Sequence, residues 1–153
     1  MSTLRIAELL EAGMGLHPAS IGIAAVERAV AERARTLGLA GADAYWDALH
    51  NLRGERQALI EAVVIPETWF FRDPAAFSAM VREAVARAAA RPLRILSLPC
   101  STGEEPHTIA MALLDAGLPA GRLRIDAIDI STRALDLARL GLYGRNSFRG
   151  ADL

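Results

Sequence analysis

Residues that could do chemistry are concentrated between positions 97 and 106, in the run Ser-Leu-Pro-Cys-Ser-Thr-Gly-Glu-Glu-Pro. This run follows a short apolar stretch at 93–98 and precedes a helical pattern. In a doubly wound sheet, ligands bind outside the carboxyl ends of the strands, next to helix N-termini. Its position therefore makes this loop a candidate binding site.

The composition of the loop narrows the kind of ligand. Gly103 is its only glycine and it contains no Lys, so neither a G-x-G-x-x-G turn nor a phosphate loop is present. Glu104 and Glu105 would also repel phosphates. Carboxylates beside a tight turn suit a cationic or hydroxyl-bearing ligand, and S-adenosylmethionine (SAM) offers an ammonium, a sulfonium and a ribose. We predict that Glu104 binds the ammonium.

A structural reading of the same loop competes with ligand binding. Ser101 with Glu104, and Thr102 with Glu105, both have the spacing of a helix capping box. Pro106 suits a first helical turn. The loop residues by themselves leave both readings open.

Asp129 favours ligand binding. It ends a second predicted strand, where a ribose-binding carboxylate lies in dinucleotide-type folds. Capping of the helix that follows is assigned to Ser131 instead.

The N-terminal part of the chain is predicted to be a helical bundle over 1–64. One helix has Ser20 as its cap and Gly38 as its stop, a second has Asp43 as its cap, and another follows a break at Gly54. The apolar positions that define the first of these helices are Ile23, Val26, Val30, Ala34 and Leu37.

Residues 65–76 are predicted to form a linker. Pro66 ends the helical pattern, and Asp73-Pro74 is a typical helix start. The three aromatic residues between them, at 69–71, are expected to serve packing and not as a stacking platform.

From residue 77 the pattern becomes α/β. A helix leads to an apolar run at 93–98, typical of a buried parallel strand, then a crossover helix stopped by Gly117, a strand at 124–129 and a further helix. The predicted fold class is α/β: an all-α N-terminal bundle followed, over 77–153, by the first part of a doubly wound, Rossmann-like domain.

Composition excludes several classes of function. The formal net charge of -1 disfavours a nucleic-acid partner, and the absence of Lys excludes a catalytic lysine. Cys100 is the only cysteine and is expected to be buried, while His17, His50 and His107 are scattered and suggest no metal. Without a signal segment or a long apolar run, we expect a cytoplasmic protein with no direct membrane insertion.

Four segments together resemble the CheR family of chemoreceptor glutamate methyltransferases. They are S-T-G-E-E-P at 101–106, T-I-A-M-A-L-L-D at 108–115, D-A-I-D-I-S at 126–131, and the T-x-F-F-R motif at 68–72. The resemblance implies SAM-dependent O-methylation of glutamate side chains on methyl-accepting chemoreceptors in chemosensory signalling. It also implies S-adenosylhomocysteine as the product, and docking of the cytoplasmic helical region of the receptor on the N-terminal helices.

The resemblance also implies roles for individual residues. Thr68, Arg72, Glu104 and Asp129 would contact SAM, and Arg72 would also act in catalysis by holding the substrate carboxylate. The alternative for Arg72 is an ion pair with a neighbouring acid, Asp73 or Glu67. The family often has Asn where this chain has Pro66, a variant that looks more like CheR homologues outside the main chemotaxis pathway.

Other expectations concern the extent of the chain and its surfaces. The resemblance covers nearly the whole chain but only part of the family's length, so we expect a truncated form with an open edge on the strand at 93–98, which predicts a dimer. Arg28, Arg33 and Arg35 would either dock a receptor or form a solvated face. Two other functions stay open: a non-catalytic receptor- or partner-binding fragment, and a nucleotide-dependent oxidoreductase, which the single loop glycine disfavours.

Overall fold

A computed structural model describes residues 2–15, 21–88 and 91–150. The chain divides into two compact units, residues 1–65 and 66–153, each with its own hydrophobic core. The predicted cap Ser20 and His17 lie outside the described residues. In the described ranges, no helix has both the length and the apolar character needed to cross a bilayer.

The first unit contains four described helices whose apolar stripes share one core. They are α1 (Ser2–Met14), α2 (Ile23–Thr36), α3 (Ala42–Asn51) and α4 (Glu55–Val63). The predicted stop of α2 is confirmed: Gly38 has φ 68°, and its N–H donates to the Arg35 carbonyl at 3.1 Å. The buried core side chains include Ile6, Leu10, Val26, Val30, Tyr45, Leu49, Leu59 and Val63.

The prediction that Asp43 caps α3 is wrong. Gly41, with φ 90°, occupies the cap position, and Asp43 lies inside the first turn. There its carboxylate accepts a hydrogen bond from the Ser2 hydroxyl at the start of α1. A carboxylate in a first turn is favoured by the helix dipole, so Asp43 also stabilises the N-terminus of α3 without capping it.

A partly buried ion pair changes the interpretation of the basic residues on α2. The Arg33 guanidinium donates from Nε and Nη2 to the two Glu55 oxygens, each at 2.9 Å, and Tyr45 Oη donates to Glu55 Oε1 at 2.7 Å. The Arg33 bond holds the pKa of Glu55 below its ordinary value, while burial and the Glu55 bond raise the pKa of Tyr45. Arg33 is therefore not available for docking, whereas Arg28 and Arg35 are exposed.

The second unit contains one parallel pair of strands joined by a crossover helix. Its elements are α5 (Pro74–Ala88), β1 (Leu93–Ser97), α6 (Glu104–Asp115), β2 (Leu123–Ala127) and α7 (Thr132–Leu140), with 3-10 helices at Ala120–Arg122 and Arg145–Phe148. The predicted start of α5 is confirmed, because Asp73 Oδ1 accepts the Ala76 N–H at 3.1 Å. The register runs from Leu93 opposite Leu123 to Ser97 opposite Ala127.

The sheet is buried on one face in the described residues. Apolar side chains of α5 and α6 form one cluster with Leu93, Ile95 and Ile125 of the two strands. The strand predicted to be buried is buried on one face only in this part of the chain, since Leu93 is 8% exposed and Leu96, on the other face of β1, is 56% exposed. Side chains alternate between faces along a strand, and the described helices cover only one of them. The chain as described is mostly helical with a small parallel sheet.

Candidate functional site

The carboxyl ends of β1 and β2 stay paired beyond the sheet itself. The Ile128 N–H donates to the Ser97 carbonyl at 3.0 Å, and the Cys100 N–H donates to the Ile128 carbonyl at 2.9 Å. Cys100 is buried, as predicted, and burial raises the pKa of its thiol. A thiol kept protonated in this way is a poor nucleophile, so Cys100 belongs to the framework of the loop.

The loop that follows makes a tight turn into α6. Ser101 has φ 48° and Gly103 has φ 98°, and Gly103 occupies the cap position without any side-chain cap. The capping-box interpretation of Ser101 and Thr102 is therefore wrong. Thr102 Oγ1 instead donates to Glu104 Oε2 at 2.6 Å. Pro106 does lie in the first helical turn, as predicted.

Gly103 is required by crowding as well as by its φ angle. A Cβ at this position would lie 2.6 Å from Tyr143 Oη and 2.9 Å from Ala138 Cβ. Tyr143 Oη donates to the Thr102 carbonyl at 3.0 Å, which holds the tyrosine over the turn. The turn is thus fixed by residues that lie after β2.

Glu104 is a buried acid at the N-terminus of α6. It is 3% exposed and accepts hydrogen bonds from Thr102 Oγ1 at 2.6 Å and from Ser147 Oγ at 2.7 Å. It has no ion-pair partner among the described residues. Burial of a carboxylate without a cation is costly, so this position attracts a cationic ligand.

Asp129 joins the two loops at the carboxyl ends of the strands. Its Oδ2 accepts the Ser101 N–H at 2.7 Å and its Oδ1 accepts the Ser131 N–H at 2.9 Å. Each carboxylate oxygen keeps a second lone pair for a ligand hydroxyl. The predicted cap is confirmed, because Ser131 Oγ accepts the Ala134 N–H at 2.9 Å.

Sequence reasoning missed one polar group in the loop. The Ser101 hydroxyl is buried and has no hydrogen-bond partner among the described residues. Buried polar groups are nearly always paired, and one left unpaired in a binding loop is a candidate ligand contact. The positive φ of this residue, uncommon outside glycine, also marks the loop as strained.

The segment at 66–73 lies against α6 and the 3-10 helix Arg145–Phe148. The Phe71 N–H donates to Thr108 Oγ1 at 3.2 Å, and the Phe70 N–H donates to the Ser147 carbonyl at 2.8 Å. The Phe70 ring is buried between Tyr143 and Phe148, with centroids 4.9 and 5.0 Å away. The expected packing role is confirmed for Phe70, and the segment is brought to the Glu104 end of the loop.

Arg72 and Trp69 form an exposed cluster with Arg149. Both guanidinium carbons lie over the Trp69 ring, at 4.6 Å for Arg72 and 4.4 Å for Arg149. Arg72 Nη1 donates to the main-chain carbonyl of Glu67 at 2.6 Å, and the alternative of an ion pair with Asp73 or Glu67 is not seen among the described residues. Trp69 is a stacking surface for cations and not simply a packing residue. Thr68 is half-buried beside it.

The four predicted site residues therefore stand in two groups. Glu104 and Asp129 hold the loop between β1 and α6, and Thr68 and Arg72 lie on the segment bonded to Ser147 and Thr108. Three residues that contact the loop or the segment at 66–73 were not predicted from the sequence: Tyr143, Ser147 and Arg149. They lie about 40 residues or more from the residues they contact, and no motif marks them.

Comparison with known proteins identifies the family to which this domain belongs. Residues 66–152 match the family described as CheR methyltransferase, SAM-binding domain. The chain is 54% identical, over 97% of its length, to a probable biofilm formation methyltransferase WspC of Pseudomonas aeruginosa, and 48% identical to the WspC of Pseudomonas putida. It is 35% identical, over 91% of its length, to the chemotaxis protein methyltransferase of Escherichia coli.

These relatives are longer than the chain. It spans 36% and 37% of the two WspC proteins and 49% of the Escherichia coli protein. The match to the SAM-binding domain nevertheless covers more than half of the chain and includes all four predicted site residues, so SAM is the cofactor of this domain. The chain belongs to the CheR methyltransferase family.

Proposed function

We propose that a protein carrying this chain uses SAM to methylate glutamate side chains on a methyl-accepting chemoreceptor. The observation that carries the proposal is the buried Glu104 carboxylate, which has two hydroxyl donors and no cation among the described residues. The printed names of the relatives, chemotaxis methyltransferase and biofilm formation methyltransferase, support chemosensory signalling as its setting.

The residues of the loop fit SAM. Residues 97–106 contain two groups that suit its polar parts, the Glu104 carboxylate for the ammonium and the Ser101 hydroxyl for a ligand hydroxyl. The Asp129 carboxylate, bonded to the Ser101 N–H from the end of the second strand, is a third group and suits hydroxyls. The loop contains neither Lys nor Arg, so no cation competes with the ligand. We assign ribose recognition to Asp129 and ammonium recognition to Glu104.

Bound SAM would supply an electrophilic methyl group. The substrate carboxylate is ionised near neutral pH, so this chain does not need to provide a general base. What the chain must provide is orientation of the carboxylate and exclusion of water, the effects that bring reacting groups into near-attack geometry.

Arg72 is our candidate for orienting the substrate. Its guanidinium uses Nη1 for the Glu67 carbonyl and stacks on Trp69, which fixes the plane of the group. A guanidinium has five N–H donors, so others remain for a two-pronged contact with a carboxylate. Thr68 lies four residues earlier on the same segment and is proposed as a SAM contact.

The rest of the proposal concerns architecture. We infer that the parallel pair β1–β2 is the beginning of a doubly wound sheet, since the binding loop lies at the carboxyl ends of its strands. We further propose domain limits of 1–64 for the helical domain, 65–76 for the linker and 77–153 for the part of the methyltransferase domain. Docking of receptor helices is assigned to the N-terminal helices.

Transfer of methyl groups tests the proposal directly. The protein carrying this chain is incubated with methyl-labelled SAM and the cytoplasmic fragments of candidate receptors, and label released by base is measured. Base-labile label is expected, because carboxyl methyl esters hydrolyse in base. Arg72→Lys keeps the charge but loses the planar fork, and should lower transfer about a hundredfold or more. Arg82→Lys, exposed on α5, is the matched control.

The outcomes separate this function from a non-catalytic role. Binding of a receptor fragment without SAM binding or label transfer would identify a partner-binding module. Transfer to no receptor encoded with the protein would reject glutamate methylation as its reaction.

A further inference from the structure

Ser147 contacts both halves of the candidate site. Its hydroxyl donates to Glu104 Oε1 at 2.7 Å, and its carbonyl accepts the Phe70 N–H at 2.8 Å. Glu104 is the proposed ammonium ligand, and Phe70 lies between Thr68 and Arg72. One residue on the 3-10 helix Arg145–Phe148 therefore connects the cofactor loop to the segment proposed to meet the substrate.

Two hydroxyl donors define the orientation of the Glu104 carboxylate. Ser147 holds Oε1 and Thr102 Oγ1 holds Oε2, at 2.7 and 2.6 Å. Hydrogen bonds to an ionised group are among the stronger ones in proteins, so together they restrict rotation of the carboxylate. Thr102 is two residues from Glu104, whereas Ser147 reaches it from another part of the fold.

A hydroxyl group is better suited than a cationic side chain to hold Glu104 in place for an ammonium ligand. Lys or Arg at the same place would also bond Oε1 but would neutralise the acid and repel an ammonium. Serine donates one hydrogen bond and leaves the negative charge intact. Its neighbours are fixed as well, since the Ser147 N–H donates to the Gly144 carbonyl at 3.0 Å and Phe148 stacks on Phe70.

We propose that Ser147 is a positioning residue, which orients Glu104 for the ammonium of SAM and sets the distance between that carboxylate and the Thr68–Arg72 segment. This inference rests on the proposed function, because it concerns recognition of the amino-acid part of SAM. It adds a residue of the 3-10 helix Arg145–Phe148 to a candidate site that otherwise consists of the first loop, Asp129 and the Thr68–Arg72 segment.

Calorimetry with two ligands separates positioning from a general structural role. S-adenosylhomocysteine carries the ammonium, and methylthioadenosine has the same nucleoside without it. In the full chain, Ser147→Ala should weaken S-adenosylhomocysteine binding about tenfold, the effect of losing one charge-assisted hydrogen bond. Binding of methylthioadenosine should stay unchanged. Ser147→Thr keeps the hydroxyl and should restore binding.

Two further measurements complete the test. Ser78→Ala removes a hydroxyl that donates to a main-chain carbonyl of α5 and should change neither affinity. In Ser147→Ala without ligand, the Phe70 amide should exchange faster, because its acceptor is less well anchored. An equal loss for both ligands, or no loss for S-adenosylhomocysteine, overturns the positioning role alone. Failure of the wild-type chain to bind S-adenosylhomocysteine overturns the proposed function with it.

Discussion

Asp129 Oδ2 accepts the Ser101 N–H at 2.7 Å, so the acid after β2 holds the loop after β1 in place. Its other oxygen accepts the Ser131 N–H at the start of α7. The same carboxylate that is proposed to bind the ribose therefore also builds the loop that carries Glu104. One side chain therefore fixes the geometry of the loop and is also proposed to recognise the ligand.

Asp129→Asn tests that double role. An amide has only one acceptor oxygen, so one of the two N–H groups would meet an NH₂ group instead. We expect S-adenosylhomocysteine affinity to fall at least about tenfold and the Ser101 amide to exchange faster. Asp126→Asn, three residues earlier in β2 and in exposed ion pairs with Arg94 and Arg124, is the control. If both substitutions have a similarly small effect, Asp129 does not have the proposed double role in ligand binding and loop geometry.

Gly103→Ala tests the crowding of the turn. The new Cβ would lie 2.6 Å from Tyr143 Oη and 2.9 Å from Ala138 Cβ at a φ of 98°. The free energy of unfolding of the second unit should fall by about 2–4 kcal/mol, from strain and overpacking. Gly121→Ala has no neighbour within 4 Å and should be nearly neutral.

A second substitution identifies the source of that cost. Tyr143→Phe in the Gly103→Ala background removes the hydroxyl but leaves Ala138 in place. Partial recovery in urea denaturation is expected. Full stability in the single Gly103→Ala variant would show that the turn can open without loss.

The partly buried pair Arg33–Glu55 predicts acid sensitivity of the first unit. The folded-state pKa of Glu55 is lowered by its bonds to Arg33 and Tyr45. Its stabilisation is therefore complete above the ordinary glutamate pKa and is lost as the pH falls through the lowered value. Glu55→Gln should cost about 2–4 kcal/mol near neutral pH, since it leaves Arg33 unpaired, and should flatten the acid dependence.

The measurement can be confined to this unit. The chain has two tryptophans, so Trp46 fluorescence in a Trp69→Phe background reports on the first unit. Glu8→Gln, at an exposed position on α1 of the same unit, should change stability by no more than about 0.5 kcal/mol. Equal acid sensitivity of wild type and Glu55→Gln would refute the assignment.

The sequence predicted correctly those features of the fold that depend on neighbouring residues, such as helix starts and stops. The stop at Gly38, the starts at Asp73 and Ser131 and the strand–loop–helix around Gly103 all follow from residues within one turn of each other. The choice of Gly103 over Ser101 or Thr102 as the cap was missed. It depends on a backbone φ that is fixed by packing against Tyr143 and Ala138, from α7 and beyond.

Contacts between distant elements explain the other errors. The sequence pattern of α2 indicates a surface position for Arg33, but in the fold Glu55 at the start of α4 contacts it. The pattern before α3 indicates a cap at Asp43, but in the fold Asp43 contacts Ser2 of α1. Ser147 has no local signal at all, because its function depends on Glu104 lying 43 residues earlier. The resemblance suggested the four candidate site residues, but not the residues that contact and orient them.

Dimerisation through the sheet is a further prediction. β1 pairs only with β2 among the described residues, and the uncovered face presents Leu96, Leu98 and Ile128. The free backbone edge of β1, next to an exposed apolar face, favours pairing with a strand of a second chain. We expect the chain to show a concentration-dependent dimer in light scattering and Leu96→Lys to remain monomeric. Leu4→Lys, at an exposed position on α1, is the control, and a monomeric wild type at high concentration would contradict the prediction.

Arg28 and Arg35 provide the test of receptor docking. Both are exposed on α2, while Arg33 is held by Glu55, so a contribution of the α2 arginines to docking must come from Arg28 and Arg35. Glu27 and Glu32 are interleaved on the same helix and would reduce attraction for an acidic partner. If the two arginines nevertheless meet acidic receptor helices, Arg28→Glu with Arg35→Glu should weaken binding at least about tenfold and remove its salt dependence.

Calorimetry with a receptor cytoplasmic fragment at low and high salt would measure this effect. Arg56→Glu, exposed on α4, changes the net charge of the same unit by the same amount per substitution. It should have little effect, because a local contact and not overall charge is proposed. Unchanged binding in the double variant would show that the α2 arginines form a solvated face and that docking occurs elsewhere. The interleaved Glu27 and Glu32 favour that outcome.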